Sequence, residues 1–452
     1  MTMTTMPPEL AEWLPWIEAT AGERVRDGQR LSVGASRAMF ILYTPGGRDL
    51  VLRVDTGGGP FAGTCYTLER EAELYHALSP HFAHIPEFLG QHPSGKAFLM
   101  NRVQGTHELS TLGDEERVAV CEGLVDALAD LHRIDTGQLD LPSFQRPEQP
   151  QDHALLELAP WCAMLDQFPQ SEVALARAAI SILRSSAPRW DGRPVLCHGD
   201  LGPKNFMFAH GKVTALIDWE LAHLGDPHDD LAWWIFRGHE WLGAAGDLTA
   251  QLRRWSERTG LAIDPARLVW YRALVLLRFY ILVRTAMLHG GNAPEDRIMF
   301  LRLMPLLDVK LSQALASLLG ETFEPAPPPA ADAPIGAAAS AALRSILEGM
   351  TASDTSSAET RRSAASATIF VEHLAAIDRL GGDIRRKDDA ERYALMGRVG
   401  PTPPEEMSRE QMIAFLDVTM RHGLRHAHLW PDTLERALAP SWSPDSLGSD
   451  ER

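Results

Sequence analysis

The chain has 452 residues, 45% hydrophobic and 23% charged, with a formal net charge of -17. That length fills two or three domains with ordinary cores, and the acidic balance argues against nucleic acid as a partner, because phosphate binding leaves a basic footprint. Cys65, Cys121, Cys162 and Cys197 form neither a C-x-x-C pair nor a disulfide framework, residues 1–10 lack a secretory pattern, and the apolar stretch Leu268 to Leu288 is broken by Arg272, Arg278 and Arg284, so the expectation is a cytoplasmic protein without a membrane span.

In chain order, Leu31-Ser-Val, Met39-Phe-Ile-Leu-Tyr and Leu50-Val-Leu-Arg-Val are short apolar runs separated by turn residues, the pattern of an antiparallel meander. The turn at Gly34, Ala35 and Ser36 reads either as an ordinary hairpin or as backbone N–H groups laid over nucleotide phosphates. Thr67 to Leu78 is a helix with Leu74, Tyr75 and Leu78 on the same face as Glu71, and with Glu69, Glu73 and His76 opposite. A carboxylate on a buried stripe needs a cation, and Arg53 on the preceding strand is the best candidate. Phe98 to Gly105 alternates as a strand and then breaks; Thr111 to Ile134 reads as a long helix with Thr111 and Asp114 as a capping pair and His132 as a packing residue.

The segment Val195-Leu-Cys-His-Gly-Asp-Leu-Gly-Pro-Lys-Asn205 is followed by the strand pair Phe206-Met-Phe and Val213-Thr-Ala-Leu-Ile, a hairpin that returns Asp218 towards Asn205. Phosphoryl transfer by a kinase-type loop needs an aspartate to receive the acceptor's proton, an asparagine five positions later for a metal, and a second aspartate whose metal bridges the phosphates. Asp200, Asn205 and Asp218 have that order and spacing. Downstream, Asp226-Pro227 reads as a helix start, with Asp229 and Asp230 favouring the helix dipole, and residues from about 228 to 320 are mostly helical.

His198-Gly-Asp-Leu-Gly-Pro-Lys-Asn205, Ile217-Asp-Trp-Glu220 and Gly225-Asp-Pro-His-Asp-Asp-Leu-Ala232 together resemble the aminoglycoside phosphotransferase and choline kinase superfamily, over residues from about 25 to 320. The resemblance implies an α+β, protein-kinase-like fold of two lobes: a small antiparallel N-lobe over residues 1–104 and a mainly helical C-lobe over 105–320. It implies ATP and Mg2+ as cofactors, Asp200 as catalytic base, Asn205 and Asp218 as magnesium ligands, and His198 as a loop brace. It also implies a hinge in which backbone groups near Met100 to Arg102 pair with adenine. The protein-kinase pattern has a lysine where this chain has Arg53, and arginine reaches differently. Val51-Leu-Arg-Val, Arg70-Glu-Ala-Glu-Leu-Tyr-His-Ala-Leu78 and Tyr271-Arg-Ala-Leu-Val-Leu-Leu-Arg278 resemble the branch associated with acyl-CoA dehydrogenases, in which arginine is usual.

Residues 321–335 are rich in proline and alanine and read as a linker. Beyond it, within 336–452, Ala337 to Leu347, Ser363 to Leu380, Ala390 to Gly397 and Ser408 to His422 look helical, the last opened by Ser408 and Gln411. This all-α domain resembles a small uncharacterised companion of the same kinase branch, expected to pack on the kinase lobe or to mediate self-association. Between residues 241 and 320 ten basic residues stand against six acidic ones, a sign that favours an anionic acceptor such as a hydroxyacyl-CoA over a polyamine. An antibiotic or amino-alcohol kinase is the alternative within the class, and a catalytically inactive nucleotide-binding scaffold, suggested by Arg53, the alternative outside it.

Overall fold

The computed structural model describes residues 6–31, 37–241, 244–289, 294–353 and 355–443. The chain forms two compact units: Met1–Met164 with Ala187–Val275 and Trp442–Arg452, and Leu165–Ser186 with Leu276–Ser441.

The first unit begins with a helix, α1 (Leu14–Ala21), and an antiparallel sheet of β1 (Asp27–Leu31), β2 (Arg37–Tyr43), β3 (Leu50–Asp55), β4 (Phe88–Gln91) and β5 (Ala97–Asn101), in the order β1-β2-β3-β5-β4. The described part of the first strand includes Leu31, and Ser32 to Ser36, with the rest of the expected run Leu31-Ser-Val, lie outside the described residues. Strand side chains alternate between faces. Ala38, Phe40, Leu42, Leu50, Leu52, Val54, Ala97 and Leu99 join Leu10, Trp13 and Ile17 in one core. Arg37 and Arg53, at the opposite parity, therefore face the other side of the sheet. That side receives α2 (Leu68–Leu78), capped by the Thr67 side chain, with Glu71, Leu74, Tyr75 and Leu78 buried.

The rest of this unit is α3 (Asp114–Arg133), α4 (Asp152–Met164), the short strands β6 (Val195–Cys197), β7 (Phe206–Ala209), β8 (Lys212–Leu216) and β9 (His223–Gly225), and then α6 (His228–Trp233), a π-helical turn at Trp234–Trp241, and α7 (Leu248–Thr259). Between α4 and β6 the chain passes through α5 (Ala174–Ser185), which belongs to the second unit. The long helix α3 starts at Asp114 with Gly113 at its N-cap, and Thr111 sits in a preceding 3-10 turn whose hydroxyl donates to the Glu108 carbonyl oxygen at 2.7 Å, so the expected Thr111 and Asp114 cap does not form. β7 and β8 pair with Phe206 opposite Leu216, and their turn places His210 and Gly211 both at positive φ, the conformation a two-residue hairpin requires.

The second unit contains α5, the later part of α8 (Pro265–His289), α9 (Pro294–Leu318), α10 (Ala337–Ala352), α11 (Ala358–Val399), α12 (Arg409–Ala427) and α13 (Pro431–Leu438). Residues 321–334 carry no regular secondary structure. The separate helices expected over Ser363 to Leu380 and Ala390 to Gly397 are one continuous helix, α11: Gly381 and Gly382 lower propensity without ending it. Ser408 and Gln411 form the expected reciprocal capping box. Among the described residues no helix is long and apolar enough to cross a membrane.

Candidate active site

The loop after β6 is shaped by glycine and held by buried polar groups. Gly199 has φ +80°, and a Cβ there would stand 2.1 Å from the Leu221 carbonyl oxygen, so no other residue fits without backbone movement. The neighbouring His198 ring is fully buried. Its Nε2 donates to the Ile217 carbonyl oxygen at 2.9 Å and its Nδ1 accepts the Asp200 N–H at 3.3 Å, which assigns the tautomer. Burial lowers its pKa and keeps the ring neutral. His198 thus ties the loop to the end of β8.

Asp230 anchors the same loop from below. Its Oδ2 accepts the His198 backbone N–H at 2.7 Å and its Oδ1 the Gly199 N–H at 2.9 Å. His132 Nε2 lies 3.0 Å from Oδ2, and the Trp255 indole N–H donates to His132 Nδ1 at 3.1 Å, so Nε2 carries the proton towards Asp230. Burial opposes the charge on Asp230, but the His132 bond and charge outweigh it and hold the carboxyl below its ordinary range. Sequence patterning assigned Asp230 only to a helix dipole and His132 only to packing. Asp226 and Asp229 are likewise buried in specific pairs, Asp226 with His228 at 2.6 Å and Arg267 at 3.0 Å, and Asp229 with His223 at 3.0 Å.

On this support Asp200, Asn205 and Asp218 come together. Asn205 Nδ2 donates to the Asp200 carbonyl oxygen at 2.8 Å and to Asp200 Oδ2 at 2.6 Å. The Ile217 N–H donates to the Asn205 carbonyl oxygen at 2.9 Å, so the hairpin delivers Asp218 beside Asn205 as its spacing predicted. Asp200 Oδ2 also meets Arg237 Nη1 at 2.5 Å, and Arg237 further donates to the Asp200 and Pro203 carbonyl oxygens at 3.0 and 3.1 Å. Burial raises the Asp200 pKa, with Arg237 pulling against it.

Arg53 bridges the sheet to this loop. Its Nη1 is 2.8 Å from Glu71 Oε1 and its Nη2 is 3.2 Å from Asp218 Oδ1. Arg37 makes a second ion pair with Glu71 and reaches Glu220 Oε2 at 3.2 Å. Glu71 is buried, which raises its pKa, while Arg53 and Arg37 pull it back. Burial opposes the charge on Asp218 too, but Arg53 and then Arg37 hold that carboxyl low. Glu220, penalised by burial and by Asp218, is pushed up to about 8. Arg37, Glu220 and Arg237 were given no role from the sequence, and Asp230 only a place at a helix start. The strand alternation that places Phe40 and Leu42 in the core was the available signal for Arg37; nothing local marks Arg237, which lies 37 residues from Asp200.

Met100 is buried in β5, and the Arg102 N–H donates to the Asp49 carbonyl oxygen at 3.0 Å while its guanidinium pairs with the Asp49 carboxylate at 2.9 Å. Gly34, Ala35 and Ser36 lie outside the described residues. Within the basic excess in 241–320, four arginines already have carboxylate partners: Arg254 pairs with Asp126 at 2.6 Å, Arg258 with Asp130 at 2.8 Å, Arg267 with Asp226 at 3.0 Å and Arg272 with Glu240 at 2.8 Å.

A family model described as the phosphotransferase enzyme family matches residues 27–271, which include every one of these site residues. The chain belongs to the phosphotransferase enzyme family. Residues 27–271 make up its phosphotransferase domain. Acyl-CoA dehydrogenase family member 11 of Gallus gallus is 28% identical over 216 residues, covering 45% of this chain and 27% of that protein. The chain therefore spans about a quarter of that relative's length. Hygromycin-B 4-O-kinase of Escherichia coli is 26% identical over 247 residues, 51% of this chain and 68% of that one. A Ralstonia eutropha chain classed with the aminoglycoside phosphotransferases superposes with a TM-score of 0.51 at 19% identity, covering 69% of this phosphotransferase and 98% of the other, and shares its kinase-like fold.

Proposed function

We propose that this phosphotransferase moves the γ-phosphoryl group of ATP, with magnesium, to a hydroxyl of a hydroxyacyl-CoA. The observation that carries the phosphoryl-transfer reading is the linkage of Asp200, Asn205 and Asp218 through the two Asn205 bonds and the Ile217 bond. Asp200 Oδ2 is engaged by Arg237 and Asn205, so the Oδ1 edge takes the acceptor's hydroxyl proton. Burial raises the Asp200 pKa, which increases its driving force for accepting a proton.

Asn205 and Asp218 offer hard oxygen donors of the kind magnesium takes. Asn205 turns its amide nitrogen to Asp200, which leaves its amide oxygen without a protein partner among the described residues, and the Asp218 side chain is 40% exposed. Bound there, magnesium supplies charge neutralisation across the phosphates. Arg53, braced by Glu71, adds a fixed positive charge on the phosphate side, and backbone groups near Met100 to Arg102 read the adenine. In this reading residues 1–104 form the nucleotide lobe, 105–320 the acceptor lobe, 321–335 a linker and 336–452 an accessory domain.

The acyl-CoA acceptor is supported by similarity to the acyl-CoA dehydrogenase family member more than by surface charge, since Arg254, Arg258, Arg267 and Arg272 are each paired with a carboxylate. Similarity to the hygromycin kinase favours an antibiotic acceptor instead. Purified protein with magnesium and ATP is to be screened by mass spectrometry for a phosphate-sized gain on a hydroxyacyl-CoA panel and on hygromycin B. Transfer to the thioesters, abolished in Asp200→Asn, is expected. Transfer to hygromycin alone would remove the acyl-CoA reading, and no transfer to any acceptor, with nucleotide binding intact, would favour a scaffold.

A further inference from the structure

The second unit holds a polar cluster that phosphoryl transfer does not use. His422 and His426 are one helical turn apart on α12, so their rings share a face. Both meet one carboxylate oxygen from α11: His422 Nδ1 and His426 Nε2 each lie 2.9 Å from Asp388 Oδ2. The two ring centroids are 4.2 Å apart, and the three donor atoms lie within 4.8 Å of one another.

The surroundings orient these donors as the outer shell of a metal site does. Arg425 takes the other oxygen, Asp388 Oδ1, through Nε at 2.8 Å and Nη2 at 2.7 Å, and is itself held by Glu391 at 2.5 Å. Asp388 thereby presents Oδ2 alone to the imidazoles. The cluster opens on a cavity of about 530 Å³ whose wall includes Asp308, Asp388, His422 and His426. Asp308 comes from α9, and its approach depends on Gly423, where a Cβ would meet the Asp308 Cβ at 2.8 Å and the Pro305 carbonyl oxygen at 2.9 Å. No hydrogen bond or ion pair engages the Asp308 carboxylate among the described residues.

We propose that Asp388, His422 and His426 form a site for a divalent cation of the zinc class, with its remaining coordination position open to this cavity. Two imidazole nitrogens and one carboxylate oxygen are a donor set that zinc takes with a fourth position left for water. Asp308 lies outside the three-donor set but on the same cavity wall, where its carboxylate would face the open coordination position. The donor chemistry differs from the all-oxygen set at Asn205 and Asp218, so magnesium and the second cation separate by ligand type.

The test uses the full chain, stripped by a chelator and held in saturating magnesium. Zinc is titrated against a chromophoric chelator, and cobalt(II) is followed by its visible absorption. One zinc per chain, a tetrahedral cobalt spectrum and a zinc-dependent rise in unfolding temperature are expected. His422→Ala and His426→Ala should each weaken zinc binding at least about tenfold, and the double variant should lose it, while Asp218→Asn retains it. His426→Gln, close in volume, serves as a second variant if alanine disturbs α12. A wild-type chain that takes up no zinc, or a folded double variant that takes up as much as wild type, overturns the proposal.

Discussion

Asp230→Asn is the sharpest probe of how the catalytic loop is held. The carboxylate accepts from the His198 N–H, the Gly199 N–H and His132, at 2.7, 2.9 and 3.0 Å, and its side chain is fully buried. Asparagine keeps one acceptor oxygen, and its amide nitrogen must face a donor. At least one backbone N–H of the loop is then left buried and unpaired. A hydrogen bond to a charged group contributes about 1.5–3 kcal/mol, and an orphaned buried donor adds desolvation of similar size. A loss of about 3 kcal/mol is thus expected, roughly a hundredfold in the opening equilibrium of the loop. Hydrogen exchange by mass spectrometry should show the peptide containing His198 and Gly199 exchanging about a hundred times faster, with a fall of roughly 6 °C or more in unfolding temperature. Phosphoryl transfer should fall while nucleotide still binds. Native protection at that peptide, together with an unchanged unfolding temperature, would refute the assignment of Asp230 as the anchor.

Three further outcomes are expected. Glu220, raised to about 8, binds a proton in the folded state that the unfolded chain has already released above the ordinary glutamate range. Its stability contribution is fully present below that range and is lost as pH rises through about 8, so unfolding temperature in magnesium-free buffer should decline over that interval and Glu220→Gln should flatten the decline. Arg53→Lys replaces a fork that reaches Glu71 and Asp218 together with a single ammonium; one charged contact, about 1.5–3 kcal/mol, is lost, and kcat/KM for ATP should drop roughly tenfold to a hundredfold. Equal kcat/KM in the two proteins removes the bridging role. Gly199→Ala must place its Cβ 2.1 Å from the Leu221 carbonyl oxygen at positive φ, a strain of at least about 2 kcal/mol, and a thermal scan matching wild type would contradict that close approach.

Much of the site was legible because its groups are local in sequence. Asp200 and Asn205 share a loop, and Asp218 follows across a hairpin whose register depends on a two-residue turn and alternating apolar positions. Glu71 could be found because a charge on an apolar helical stripe violates the pattern around it. Arg53 followed from proximity on the preceding strand, but Arg37, which pairs with the same carboxylate, was passed over because a single cation already satisfied the argument. The expected Thr111 cap failed for a simpler reason: the helix starts at Asp114 with Gly113 at its N-cap, and the Thr111 hydroxyl is drawn into a local turn instead.

By itself, then, the sequence determined the chemistry available: a proton acceptor, an amide and a carboxylate in kinase order, on elements whose polarity period sets their type. Tertiary structure decided which charges meet. Arg237 on Asp200, Asp230 beneath His198 and Gly199, and the His422 and His426 pair on Asp388 come from segments 37, 32 and 38 or fewer residues apart. It also decided that four of the arginines counted towards an anionic-substrate surface, Arg254, Arg258, Arg267 and Arg272, are paired with carboxylates. The reason is that periodicity along a chain reports burial, whereas the partner of a buried charge is set by which side chains from other elements share its low-dielectric pocket.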